Sequence, residues 1–285
     1  MEYIIKNEFL KATILSHGAE LIKLVDSDGV NRLHTPSADT WNRVSPILFP
    51  QVSRIPNSEY KVNGKIYKMP MHGFIRESEL ELVNQTDTEI TFMYHYSEKS
   101  LQIYPYAFLF YVTYKLVENT LEVSFKIENP SNEVLRYMLG GHPGFKVPLY
   151  DDELFSDYYV EFEKNEITKR MVLVENFLAD KYEDYVLDTI DLNHKLFSDD
   201  ALIFRNINSN YVDIISKNHN KKIRFHFGGF EILAIWSKPE EHVNFVCLEP
   251  WNGIQKNFVK DHENMGVLEV KPKSESYFSY KIEVI

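Results

Sequence analysis

Apolar and polar residues alternate with a period of two along much of this chain. From Phe110 the even positions Phe110, Val112, Tyr114 and Leu116 form one apolar face. After Glu118-Asn119 the odd positions Leu121, Val123, Phe125 and Ile127 do the same, with Thr120, Glu122, Ser124, Lys126 and Glu128 opposite. Side chains on a strand point alternately to its two faces, so this predicts two strands joined by a tight turn, with one wet face. Tyr60-Lys61-Val62 and Lys65-Ile66-Tyr67 flank Asn63-Gly64. That pair predicts a two-residue hairpin, because a type I′ turn needs positive φ at both central residues. Further alternations at Glu89 to Tyr96, Lys222 to Phe227 and Tyr277 to Val284 predict more strands.

Helical periodicity is weak; Asp39 to Arg43 and Asp152 to Phe155 could each hold a turn or two. The run from Glu161 to Asp191 is the least patterned part, although Phe177, Leu178, Tyr182 and Val186 argue against disorder. No repeat, low-complexity segment or Gly/Ser linker divides the chain. The expectation is all-β: one large antiparallel β-domain spanning residues 1–285.

Composition narrows the class. The chain has 285 residues, 44% hydrophobic and 14% aromatic, enough for a sizeable core. A net charge of −11 argues against a nucleic-acid backbone or an anionic membrane as partner. Cys247 is the one cysteine, which excludes an internal disulfide and fits a reducing, cytoplasmic setting. The first residues lack the basic segment and apolar run of a secretory signal. No apolar stretch approaches the roughly 20 residues needed to span a bilayer.

Four segments place polar groups inside stretches that otherwise read as buried: Gln51-Val52-Ser53-Arg54, Met71-His72-Gly73-Phe74, Gly140-Gly141-His142-Pro143-Gly144-Phe145 and Cys247-Leu248-Glu249-Pro250-Trp251-Asn252-Gly253. Together they offer a guanidinium, two imidazoles and a carboxylate beside flat rings, which are the parts of a sugar pocket with acid/base chemistry. Each has a plainer reading. Glu249 could be a loop carboxylate, His72 a satisfied core residue and His142 a structural histidine in a Gly/Pro turn.

Taken in order, Trp41 with Ser45-Pro46-Ile47-Leu48-Phe49-Pro50, then Arg54, His72-Gly73-Phe74, Gly141-His142-Pro143-Gly144-Phe145 and Glu249-Pro250-Trp251 resemble the landmarks of the aldose 1-epimerase (galactose mutarotase) superfamily, in particular its LacX-like branch. The resemblance covers nearly the whole chain. It implies a β-supersandwich and cofactor-independent interconversion of the α and β anomers of an aldose, here a hexose. Opening a pyranose removes the proton of the C1 hydroxyl while the ring oxygen is protonated; this needs a base and an acid on opposite sides of the hemiacetal. The resemblance implies Glu249 as base and His142 as acid, with His72 and Arg54 holding sugar oxygens and Asp200 as the acidic residue that binds a hydroxyl, its neighbour Asp199 being an open alternative. Burial beside Trp251 would raise the Glu249 carboxyl toward neutrality, and an imidazole carries protons both ways near neutral pH. Gly140, Gly141 and Gly144 would let backbone approach a ligand. Trp251 and Phe74 are expected to line the pocket, whereas Trp236 is expected in the core, as are most of the chain's aromatics.

Three other readings remain open. His72, His142 and Glu249 could be metal ligands, since catalytic zinc often takes two His and one Glu, but no close pair such as His-x-His supports this. A carbohydrate-binding domain could use the rings and Arg54 without turnover. A phosphorylated hexose would call for further cations at the rim, for which Arg76, Lys146 and Lys256 are candidates, though each otherwise reads as solvated or salt-bridged. An exposed final strand ending at Ile285 could pair with a second copy to give a homodimer.

Overall fold

A computed structural model describes residues 1–174, 177–254 and 268–285; Lys256 lies outside them. Strands take up 53% of the structure and helices 7%, against roughly a third helix in an average globular protein. Every pairing between named strands is antiparallel among the described residues. The all-β supersandwich expectation holds.

The alternating segments form where their pattern places them. Leu109–Val117 pairs with Thr120–Glu128 in register Thr120↔Val117, and Phe110, Val112, Tyr114, Leu116, Leu121, Val123, Phe125 and Ile127 are all buried. Glu59–Val62 and Lys65–Lys68 close on Asn63 (φ 50°) and Gly64 (φ 76°), the two left-handed residues of a type I′ turn. The helical expectations fare worse. Asp39 to Arg43 is irregular, and Asp152 to Phe155 gives only a 3₁₀ turn at Phe155–Asp157. The α-helix among the described residues is Glu98–Ile103, closed by reciprocal Ser97–Ser100 capping bonds.

A main sheet of 15 strands runs from Ile47–Leu48 through Leu139–Gly141, Phe245–Asn252, Ile232–Trp236, Leu202–Arg205 and Tyr158–Val174 to Glu81–Gln85 at the far edge. The final strand, Glu275–Val284, is not the free edge expected for pairing with a second copy: Lys222–His226 and Thr120–Glu128 occupy its two sides. A twisted sheet of more than about ten strands must curl or split. Its central strands are buried on both faces. Val246 and Leu248, Leu233 and Ile235, and Leu202 and Phe204 turn into the main core. Trp251, Ile232, Ala234 and Ile203 turn to a second, smaller apolar cluster on the other face. That second face carries the candidate site. The weakly patterned run after Glu161 is a long hairpin, Tyr158–Val174 against Phe177–Asp191. Much of it stands in solvent, with Ile167 80% and Val186 65% exposed, so no buried face imposes alternation on its sequence. No described helix is long and apolar enough to cross a membrane.

Candidate active site

The odd residues of Phe245–Asn252, among them Cys247, Glu249 and Trp251, share one face of a fully buried strand. Ala234 lies opposite Glu249 and Trp236 opposite Cys247 on the neighbouring strand. On the other side, Gly140 pairs with Trp251 and Gly144 with Cys247. His142 therefore sits in the short link between Leu139–Gly141 and Gly144–Lys146, suspended over the Glu249 face. The glycines around it make room for rings rather than for a ligand, contrary to expectation. A Cβ on Gly140 would come within 2.7 Å of Trp251 Cδ1, and one on Gly144 within 2.9 Å of Trp41 Cζ3.

A cavity of about 190 Å³ opens here, and Arg54, His72, His142, Asp200, Glu249 and Trp251 all line it. Six of the seven expected site residues thus converge although they span positions 54 to 251. Phe74 does not. It packs into the main core against Tyr94, Tyr104 and Phe108, because the turn that presents His72 to the cavity sends the next-but-one side chain inward. Asp200 rather than exposed Asp199 faces the cavity. Trp236, expected in the core, instead lines the cavity with Trp41. It continues the Ile232, Ala234 face, so the same period-two reading carried two residues further would have found it. Arg76 also lines the cavity, on a 3₁₀ turn, Ile75–Glu77, whose orientation has no periodic signature in the sequence. Lys146 is absent from the lining.

His142 Nε2 lies 3.2 Å from Glu249 Oε1. The acid and base candidates stand side by side, not across the site as expected. Such an arrangement can still serve one hemiacetal, because the hydroxyl and ring oxygens are both bonded to C1. The His142 ring is held by Trp41 (centroids 4.8 Å apart), the edge of Trp236 (5.5 Å) and His72 (5.8 Å). His142 is 7% exposed and Glu249 2%. Buried polar atoms are ordinarily paired, and here the Trp251 indole N–H stands near enough to the Glu249 carboxyl to favour its charged form.

Burial raises the Glu249 carboxyl well above its ordinary value, helped by the nearby Asp200 charge. Burial likewise pushes the His142 imidazole down, with Arg76 and Arg43 adding to the effect. Each shift favours the uncharged form of its group. His72 is also held well below its usual value, by burial first and then by His142, Arg76 and Arg54. Its Nδ1 accepts from the Ser53 backbone N–H at 3.2 Å, which assigns the imidazole proton to Nε2. Burial raises Asp200, opposed by the Ala201 N–H and Arg54. Ser53 (φ 65°), His72 (φ 65°) and Asp200 (φ 72°) all adopt left-handed backbone at the cavity. Non-glycine residues hold that conformation at a cost of order 1–3 kcal/mol, and such strain clusters at functional sites.

The sequence and the fold have counterparts in known proteins. The aldose 1-epimerase family model matches residues 1–267. The chromosomal LacX protein of Lactococcus lactis subsp. lactis is 29% identical over 282 residues, covering 94% of this chain and 92% of that protein. A galactose mutarotase related enzyme from Lactobacillus acidophilus superposes with a TM-score of 0.95 at 31% identity, covering 100% of this chain and 97% of the other. A galactose mutarotase-like protein from Lactobacillus casei gives 0.90 at 26% identity, with 100% of both chains covered. Sequence landmarks, sheet order and whole-chain matches agree, and the chain belongs to the aldose 1-epimerase family.

Proposed function

We propose that the protein interconverts the α and β anomers of a hexose by acid/base ring opening and closure. The observation that carries this reading is the buried His142–Glu249 pair, 3.2 Å apart in the wall of a small cavity. At about 190 Å³ the cavity is smaller than the roughly 300–1,000 Å³ of drug-sized sites, which suits one monosaccharide. Trp251, Trp41 and Trp236 offer rings for the C–H face of a sugar.

The pair holds one mobile proton, and the cycle moves it. With Glu249 as carboxylate and His142 as imidazolium, Glu249 takes the C1 hydroxyl proton as His142 protonates the ring oxygen and the C1–ring-oxygen bond breaks. That leaves an open-chain aldehyde over the neutral pair, the form that each shift favours. Rotation about C1–C2 presents the other face. His142 then takes the C5 hydroxyl proton, the oxygen closes on C1, and Glu249 returns its proton to the carbonyl oxygen. Sugar hydroxyls oriented by Arg54, His72 and Asp200 have to stabilise the charged form of the pair for ring opening to begin. Protons balance, and both transfers are made by side chains.

A second reading is favoured by Arg76. A second guanidinium in the lining of the same cavity as Arg54 suits a phosphorylated hexose, which would compete with Glu77 Oε1, 3.6 Å from Arg76 Nε. Exchange NMR on free and 6-phosphorylated aldoses and ketoses tests both. Turnover of free sugars supports the first reading, and turnover confined to phosphorylated ones supports the second. Binding without any turnover overturns both in favour of a carbohydrate-binding protein.

A further inference from the structure

Cys247 stands two residues before Glu249 on Phe245–Asn252, so the pleat turns both side chains to the same face. Gly144, paired with Cys247, brings the His142 link across to them. A ring nitrogen of His142, Sγ of Cys247 and a carboxylate oxygen of Glu249 all lie within 4.8 Å of one another, and all three residues are buried. Among the described residues the thiol forms no disulfide, and His142 Nε2 and Glu249 Oε1 face each other at 3.2 Å. Histidine and glutamate line the cavity, while Cys247 is outside its lining. His72, which a metal enzyme would have needed from the sequence, is not part of this trio.

We propose that His142, Cys247 and Glu249 form an inhibitory site for a borderline-soft divalent cation, zinc above all, that enters through the cavity and removes the acid and the base from action. One nitrogen, one sulfur and one oxygen match the donors zinc selects, and three protein ligands leave the fourth tetrahedral position open. Magnesium and calcium call for oxygen-rich sets that this trio does not provide. The 3.2 Å separation of His142 Nε2 and Glu249 Oε1 already suits two ligands of one ion with bonds of roughly 2.0–2.2 Å. Coordination requires thiolate and carboxylate, so protons leave the thiol and the carboxylic acid as the ion enters, and nothing is oxidised or reduced. Inhibition rests on the proposed function of the His142–Glu249 pair; metal uptake does not.

The test uses the full chain stripped with a chelator, then titrated with zinc(II) by calorimetry and with cobalt(II) by absorption spectroscopy. One equivalent of zinc, a thiolate-to-cobalt charge-transfer band, and loss of anomerisation reversed by chelator are expected. Cys247→Ala and Cys247→Ser should keep the zinc-free rate and lose the band. They should also need more extra zinc for inhibition than the ~10–100-fold that loss of an outer-shell partner costs. A wild-type protein without the cobalt band, or Cys247 variants that take up zinc as tightly as wild type, overturns the proposal. The wild-type band decides even where a variant does not fold. A band in a protein that never anomerises a sugar supports the metal site and sinks the catalytic reading instead.

Discussion

Two buried glutamates in this molecule each stand beside a histidine, and they are built to opposite ends. Glu153, 8% exposed, accepts from Ser216 Oγ at 2.8 Å, from the Tyr150 N–H at 3.4 Å and from the Tyr158 hydroxyl, with His219 Nε2 at 3.5 Å. Burial would raise its carboxyl, but the Tyr158 and Ser216 bonds outweigh it and leave the group below its ordinary value. Glu249 has His142 at 3.2 Å, and burial raises it. Donors already in place fix charge and structure at Glu153. At Glu249 the donors are fewer, with Trp251 the side chain that lowers it, and burial prevails. A histidine neighbour is common to both; depth of burial and hydrogen-bond satisfaction together set the two carboxyls apart.

The sharpest way to break this contrast is to remove the transferable proton. Glu249→Gln and His142→Asn should each slow anomerisation by ~10²–10⁴-fold above the spontaneous background, with sugar still bound. The double variant should cost little more than the worse single one, because the two act in one cycle. Exchange NMR together with a binding titration checks both, and an unchanged rate in Glu249→Gln would move the base elsewhere. Arg54→Ala should instead weaken binding, by the ~1.5–3 kcal/mol of hydrogen bonds to a charged group, a factor of roughly 10–150 in affinity. A fall in kcat with unchanged affinity would deny Arg54 its holding role.

Smaller effects sharpen the other side. Glu153→Gln should leave kcat intact and lower stability by ~1–3 kcal/mol, read as a drop in the denaturant midpoint, because it disturbs a satisfied buried cluster. Lost activity at unchanged stability would show that Glu153 is no mere support. The pH dependences should have opposite signs. Glu153 is depressed in the folded state, so its stabilisation is complete above the unfolded value of about 4.3 and disappears as pH falls through the folded value. Glu249 is raised, so the folded chain keeps a proton that the unfolded chain has released. Stability should therefore decline as pH climbs from about 4.3 toward the folded value. Glu249→Gln should abolish that decline and melt no lower than wild type at neutral pH, whereas Glu153→Gln should melt lower. Thermal melts across pH compare them directly.

Local pattern alone determined the strands with one wet face and the Asn63-Gly64 turn. The information lies within a few neighbouring residues: a pleat of period two, and a turn that demands positive φ. Most of the site residues were also legible in the sequence, because Arg54, His72, His142 and Glu249 interrupt apolar stretches in segments that resemble a family's landmarks. The outer part of the hairpin formed by Tyr158–Val174 and Phe177–Asp191 was not, because around Ile167 and Val186 no buried face imposes an alternation to read. Nor was the inward turn of Phe74 or the second face that turns Trp236 to the cavity; Arg76 was a candidate among three cations, and only its 3₁₀ turn selects it over Lys146. Those depend on which strands lie side by side, and pairings such as Gly144 with Cys247 join residues about a hundred positions apart. The direct contact of His142 with Glu249, and the difference between Glu249 and Glu153, were decided there too. Both arise from which donors the folded chain brings within hydrogen-bond reach, and only the tertiary structure sets that.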